Sequence, residues 1–421
     1  FGAGCLYCLD ISRNARGSRL RRARARPVPC GSVPWAVRYL RGPPAGSVTR
    51  VTAHAVRTSK GETPVSQSLM TRMEFLELEP SDARWSEVLA STPHDIYHHP
   101  AYVALEAKRT GSRPMAGYVR WDSGALLVPL LARGPEDGSG VLDAVSPYGY
   151  AGALFAGESD GATRRAAVQE LWQALRQLGY CSVFLRLHPI LDGANDAFES
   201  TLHHTGDTVV VDLQQDEVAL WMGMEKNTRS VVRRSHRLGL VVERLEPLGE
   251  HLEELASIYT ETMERVGAAP AYFTFDLAYF RELHAGLDRL LSLVGVKAEG
   301  DTVCVSLNST SHGIVQSMLG GSRTAARPLQ PTVLETYESM LLYREAGARY
   351  LHLGGGVGGQ RDSLFRFKRS FSNDIRPYYS VRAVLDEPRY SQLVSERARS
   401  LGVSVAQLLG SGFFPAYRAP L

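Results

Sequence analysis

Two stretches of the chain concentrate residue types that handle negative charge. Residues 350–371, YLHLGGGVGGQRDSLFRFKRSF, combine a strand pattern, a glycine loop and a helix opened by Asp362 and Ser363 as capping residues. Such a loop lets backbone approach a ligand closely, with Gly355 and Gly356 at its centre, and it feeds a helix start that favours anionic charge. On that helix Leu364, Phe367 and Phe371 can pack inward, so Lys368 is held by its aromatic neighbour and can aim its ammonium at one point. Gly354, Gly356 and Gly359 match G-x-G-x-x-G, but the acid that a dinucleotide site needs about twenty residues later is represented only by Asp374 in a turn-like segment. The phosphate-loop pattern of nucleotide hydrolases also fails, because Gln360 and Arg361 replace its lysine and hydroxyl residue.

The second stretch is Trp221 to Leu238. Read as part of one helix over 217–238, it places Trp221, Met224, Thr228, Val231 and Val232 on one face and Lys226, Arg229, Arg233 and Arg237 on the other. No acid follows Glu225 until Glu243, so the ridge lacks the interleaved carboxylates that usually neutralise an exposed helix. A solvated face is the bland reading; a phosphate-bearing ligand is the sharper one, because phosphate accepts both Arg forks and Lys point charges. Cys5 and Cys8 form a CxxC without a second ligand pair at zinc spacing, so no metal site is expected. His188, in LRLHP at a strand end, reads as a satisfied core or rim histidine rather than a base.

These residues must be positioned by an alternation of strand-like and helix-like segments from Met73 onward, which predicts α/β (α+β) layering. Two blocks of strands wrapped by helices emerge, 74–206 and 207–375, with a break in the polar HHTGD segment at 203–207. The late strand from Tyr378 is expected to return to the first block, carrying 376–421 with it. The chain has 421 residues, 44% hydrophobic and 22% charged, which is ordinary globular material with core enough for two domains. No run approaches the roughly 18 apolar residues of a membrane span. The net charge of +3 is split: residues 1–69 hold 12 Lys or Arg against Asp10 and Glu62, leaving the remainder acidic. That arm reads as a disordered basic segment, a transit peptide or, the reading its composition favours, translated sequence ahead of the true start. Cys181 and Cys304 are the only cysteines of the body, which suggests a reducing, cytoplasmic setting.

At SPYGYAG (146–152), LRLHP (185–189), KNTRSVVRR (226–234) and above all GGGVGGQRDSLFRFK (354–368), the chain resembles the FemAB-like branch of the GNAT acyltransferase superfamily. The resemblance covers roughly residues 74–385. It implies two GNAT-like subdomains, each a mixed central sheet flanked by helices, facing a common cleft. It also implies transfer of an aminoacyl group from aminoacyl-tRNA to an amine, either a peptidoglycan precursor or a small natural-product intermediate, with no cofactor. Carried over by position, Lys368 is the catalytic lysine near the aminoacyl ester, with Phe367 beside it, and Lys108, Tyr148 and Tyr150 lie where relatives hold the acceptor. Tyr102 stands where many members have Trp, and no long charged helical hairpin interrupts the second block. No Ser/His/Asp set is found, which suits a reaction whose proton shuttle can be the neighbouring ribose hydroxyl. An acyl-CoA-dependent N-acyltransferase and a non-catalytic nucleic-acid or cell-wall binding protein are the alternatives. The first of these lacks the usual pyrophosphate loop opening a long helix after a central strand.

Overall fold

The computed structural model describes residues 72–134, 141–191 and 195–420; the basic stretch 1–69 lies outside them. The first half of the chain runs β1 (Glu74–Leu78), α1 (Ala83–Ser91), α2 (Pro100–Thr110), β2 (Arg113–Trp121), β3 (Gly124–Arg133), β4 (Leu142–Val145), β5 (Leu154–Gly157), α3 (Gly161–Gln177), β6 (Tyr180–Arg186) and β7 (Leu202–Asp212). The second runs α4 (Glu217–Gly223), α5 (Lys226–Arg237), β8 (Val241–Arg244), α6 (Leu252–Val266), α7 (Leu277–Leu287), β9 (Leu291–Ala298), β10 (Asp301–Ser311), β11 (Ile314–Ser322), α8 (Pro331–Glu345), β12 (Tyr350–Gly355), α9 (Ser363–Arg369) and β13 (Asp374–Val384). Two helices, α10 (Glu387–Leu401) and α11 (Val405–Gly410), follow.

All the strands share one mixed sheet in the order β1-β2-β3-β4-β6-β13-β7-β12-β11-β10-β9-β8, with β5 paired to β3. The halves repeat one topology. Four antiparallel strands, β1 to β4 or β8 to β11, lead through a crossover helix, α3 or α8, to a parallel neighbour, β6 or β12. Each half is then completed by the other's last strand: β13 pairs antiparallel with β6, and β7 with β12. Pro129 sits inside β3 at no cost to pairing. Residues 124–127 pair with β5 and 131–133 with β4, so the missing amide falls in the gap between those partners.

One apolar cluster is drawn from both halves. Tyr97, Tyr102, Leu105 and Tyr150 of the first pack against α6, α7 and β9–β11 of the second. Where the two halves face each other, this aromatic cluster lines and largely fills the space between them.

Three local expectations are corrected. The helix over 217–238 is two helices, because Met224 and Glu225 adopt extended ψ angles of 152° and 145° and turn the chain between them. The HHTGD segment is no linker: it forms the first half of β7, paired with β13 from Leu202 onward. Gly206 is there because the glycine loop touches it. A Cβ on Gly206 would meet the Gly359 carbonyl oxygen at 2.2 Å, and one on Gly359 would meet the Thr205 carbonyl oxygen at 2.3 Å. The third correction is that β1, β2, β4, β5, β8, α1, α10 and α11 are not among the expected segments.

Candidate active site

β11 and β12 pair in parallel only from Ile314–Tyr350 to Gln316–His352. Beyond that point β12 keeps its pairing with β7 but not with β11, and a fork opens between β11 and β12. Rings fill the fork: Tyr97, Tyr102, Tyr148 and Tyr150 come from the first half and Phe275 and Tyr279 from the second, with Gln316 and Gly354 on the strand walls. The space left among them is about 20 Å³, of the order that holds one water. Tyr150 meets His352 edge-on at 4.9 Å and Tyr378 at 5.1 Å between ring centroids. The preceding Gly149 has φ +99°, and a Cβ there would stand 2.2 Å from the Tyr97 ring.

α2 sends Tyr102, Glu106 and Arg109 toward the fork. Tyr102 donates from its hydroxyl to the Tyr148 carbonyl oxygen at 3.1 Å. Arg109 and the fully buried Glu106 form a bidentate pair at 2.6 and 2.9 Å, and Tyr279 donates to Glu106 at 3.1 Å. The Arg109 guanidinium lies 4.6 Å from the centre of the Phe275 ring. Lys108, one residue earlier, points away and pairs with Glu282 of α7 at 2.5 Å on the exposed surface. Tyr148 and Tyr150 thus line the fork and Lys108 does not. The signal for the inward pair was an acid and an arginine three residues apart on one helix face.

Below the fork, the glycine loop and α9 build a second wall. Gly354, Gly358 and Gly359 have φ of +78°, +66° and +78°. Asp362 holds the loop to the helix, its carboxylate accepting from the amides of Phe365 at 2.9 Å and Val357 at 3.1 Å. The anion that satisfies this seven-residue helix is therefore its own cap. Arg361 reaches across to Asp207 of β7 at 2.6 Å and fixes the loop laterally. Lys368 is 1% exposed, and its Nζ donates to the Gly355 carbonyl oxygen at 2.6 Å. Phe367 and Phe371 stack edge-on at 5.1 Å and brace the helix.

On the far side of α9 is a cavity of about 340 Å³ between the starts of α5 and α8. Asn227, the buried Thr228, Gln330, Ser363, Arg366 and Phe367 face it. Neither α5 nor α8 has a side-chain cap at its N-terminus, but α8 opens on Pro331, which has no amide hydrogen, and its Val333 amide donates to the Gln330 carbonyl, so the first-turn amides left for a ligand there are chiefly those of α5, beside Glu225. Lys226 opens α5 at this rim. Arg229 does not join a free ridge: it donates to the carbonyls of Met222 at 3.2 Å and Met224 at 2.5 Å and so closes the C-terminus of α4. Arg233 lies 4.8 Å over the Trp221 ring. The remaining cations of α5, Lys226, Arg234 and Arg237, are exposed on a helix whose twelve residues contain no acid. Gly354 on one cavity and Phe367 on the other place Lys368 and the loop between the two.

A buried polar chain runs behind the fork. His188 donates from Nε2 to Asp95 at 2.8 Å, while its Nδ1 accepts from the amides of Ile190 and Leu191 at 3.1 and 3.0 Å. It is a satisfied buried histidine. Gln316 bonds both Asp95, at 2.5 Å, and His352, at 2.7 Å. Sequence reasoning missed Asp95, Gln316 and His352; the one trace is a polar residue in each of two otherwise apolar strands, GIVQSML and YLHLG. No group of three metal-binding side chains with suitable geometry occurs among the described residues, and no helix among them is long and apolar enough to cross a membrane.

Residues 223–369 match the acetyltransferase (GNAT) domain family. No curated protein matches the sequence. Among solved structures, FemX is similar at a TM-score of 0.59 with 17% identity, over 75% of this chain and 99% of FemX. A conserved protein of unknown function from Bacteroides thetaiotaomicron is similar at a TM-score of 0.50 with 11% identity, over 71% of this chain and 96% of its own. Residues 223–369 thus match an acetyltransferase (GNAT) domain, and the chain across both halves shares the fold of FemX.

Proposed function

We propose that the protein moves an aminoacyl group from aminoacyl-tRNA to an amine acceptor, a peptidoglycan precursor or a small natural-product intermediate. The observation that carries this reading is the placement of the glycine loop and Lys368 between two cavities. The 340 Å³ cavity, with the uncapped start of α5 and Arg366 beside Glu225, suits a donor's phosphates; the aromatic fork, closed here to about one water, would have to open to admit the reacting ester and the acceptor. Lys226, Arg234 and Arg237 extend the positive charge along a helix of twelve residues, roughly 18 Å, which matches several phosphates of a polynucleotide better than one pyrophosphate.

Aminolysis of the ester needs a neutral amine on the carbonyl carbon, stabilisation of the oxyanion and a path for the proton to the leaving ribose hydroxyl. Lys368 supplies a fixed cation under the loop, one peptide from Gly354 on the fork wall. Phe367 and the backbone at Gly355 and Gly356 pack beside it.

An acyl-CoA donor is the second reading, favoured by the acetyltransferase description of the matching family. Incubation with a mixed pool of charged tRNAs, then with acetyl-CoA, in the presence of candidate amines separates the two. Deacylation of one tRNA species that depends on added amine and is abolished by ribonuclease supports the first. Amine-dependent release of free coenzyme A supports the second, and binding without turnover of either would leave only a binding protein.

A further inference from the structure

The polar chain behind the fork fixes the protonation of a residue at its far end. Asp95 is fully buried; one carboxylate oxygen accepts from the Ile96 amide at 2.6 Å, the other from His188 and Gln316. Burial alone would raise its pKa, but the bonds from His188 and Gln316 outweigh this and hold the carboxyl below its ordinary range. An ionised carboxylate can only accept, so Gln316 must turn its NH₂ toward Asp95 and its carbonyl oxygen toward His352. An amide oxygen cannot donate, so the proton of His352 sits on Nδ1. Its Nε2 is then a bare acceptor, fully buried and without a hydrogen-bond partner among the described residues.

The His352 ring lies behind the residues that line the fork. Tyr150, which the His352 ring touches, Gln316, which it is bonded to, and Gly354, two residues along the same strand and without a side chain, all line the cavity. Lys368 and Arg376 add positive charge to the burial. Burial first, then His188, Lys368 and Arg376, hold the imidazole well below its ordinary pKa, so it stays neutral. An ammonium entering the fork would meet the same disfavour, and the amine form is the one that attacks an ester.

We propose that His352 is the hydrogen-bond acceptor for the nucleophilic amine, one N–H of which donates to Nε2 while the nitrogen lone pair faces the donor's carbonyl carbon. Gln316 and Asp95 are positioning residues that act through it. The proposal rests on the acyl-transfer reading of the fork. In the transfer the C–N bond forms and the ester C–O bond breaks. The proton given up by the amine ends on the departing ribose oxygen, and His352 is unchanged at the end of the cycle.

The full chain labelled with ¹⁵N-histidine, titrated with methylamine as the probe, reads the tautomer and the contact directly. His352 should carry its proton on Nδ1, and its Nε2 resonance should shift with methylamine and not with methanol. Gln316→Met, which leaves His352 in place, should release the tautomer and weaken that response. In the transfer assay, His352→Leu should slow aminolysis roughly 100-fold with donor KM and amine-independent hydrolysis of the donor unchanged. His352→Gln, which keeps an acceptor near the Nε2 position, should recover most of the loss. If the wild type transfers from neither charged tRNA nor acetyl-CoA, the acyl-transfer reading fails, and the resonance experiment still decides the role of His352. A proton on Nε2, or a resonance that ignores methylamine, overturns the proposal, as does a His352→Leu enzyme of near wild-type aminolysis rate.

Discussion

The ammonium of Lys368 is 2.6 Å from the carbonyl oxygen of Gly355, so a buried cation and the backbone of the glycine loop are locked to one another. Lys368→Met removes both the charge and the donor. If the charge stabilises the oxyanion, kcat should fall roughly 100-fold to 1,000-fold with donor KM little changed. The lost bond leaves a buried carbonyl unmet, so stability should also fall, by about 1–3 kcal/mol in denaturant titration. A variant with wild-type kcat and donor affinity would return Lys368 to a purely structural role.

The cations of α5 divide into two kinds. Arg229 closes the end of α4, so Arg229→Ala should cost stability, about 1 kcal/mol, through two lost carbonyl contacts. Lys226 and Arg234 are exposed, and reversing both to Glu should leave the melting temperature near wild type. Their reversal should weaken donor binding and flatten its dependence on salt, because fewer counterions are released per donor bound. Unchanged salt dependence would mark α5 as an ordinary solvated face.

Glu106 and Arg109 are a desolvated pair at the contact between α2 and α7. Glu106→Ala strands the guanidinium and removes the acceptor of the Tyr279 hydroxyl, so a loss of about 3–5 kcal/mol is expected. Lys108→Ala, one residue away, breaks only an exposed pair and should cost less than about 1 kcal/mol. Denaturant midpoints of the two variants check the contrast.

Acid should destabilise the fold through neutral buried histidines. Burial, then the nearby His188, pushes His98 down to about 3, and burial, then His94, pushes His99 down to about 4. Below about 6.5 the unfolded chain takes up protons that these native side chains refuse, so stability present at neutral pH is lost as the pH falls from about 6.5 toward about 4. The slope should approach about 1.4 kcal/mol per pH unit for each such histidine. His99→Gln should reduce that slope, as thermal melts between pH 4 and 7 would show.

The glycine loop, α9 and the fork strands were legible because their signals are local: a cap at Asp362, glycines at forced backbone angles and period-two apolar runs. The break at Met224–Glu225 was not, because the apolar period runs straight through it and only the chain direction changes. Arg229 looked like one of a row for the same reason, since its carbonyl partners exist only once the break does. The relay from Asp95 to His352 is invisible in sequence, because Asp95 and Gln316 are 221 residues apart and meet only when the two halves close on one another. Polar residues in apolar strands mark such places, but they do not name their partners.

The exchange of β7 and β13 has a consequence for synthesis. Until β13 leaves the ribosome, β6 presents an unpaired edge beside a nearly finished half, and β7 can pair on one side only, with β12. At about 5–20 residues per second, that interval lasts on the order of ten seconds, long enough for strands of two nascent chains to pair with one another. Stalled or shortened translation products ending before residue 374 should therefore depend on chaperones and aggregate without them. Only completion of the final strand seals both lobes at once.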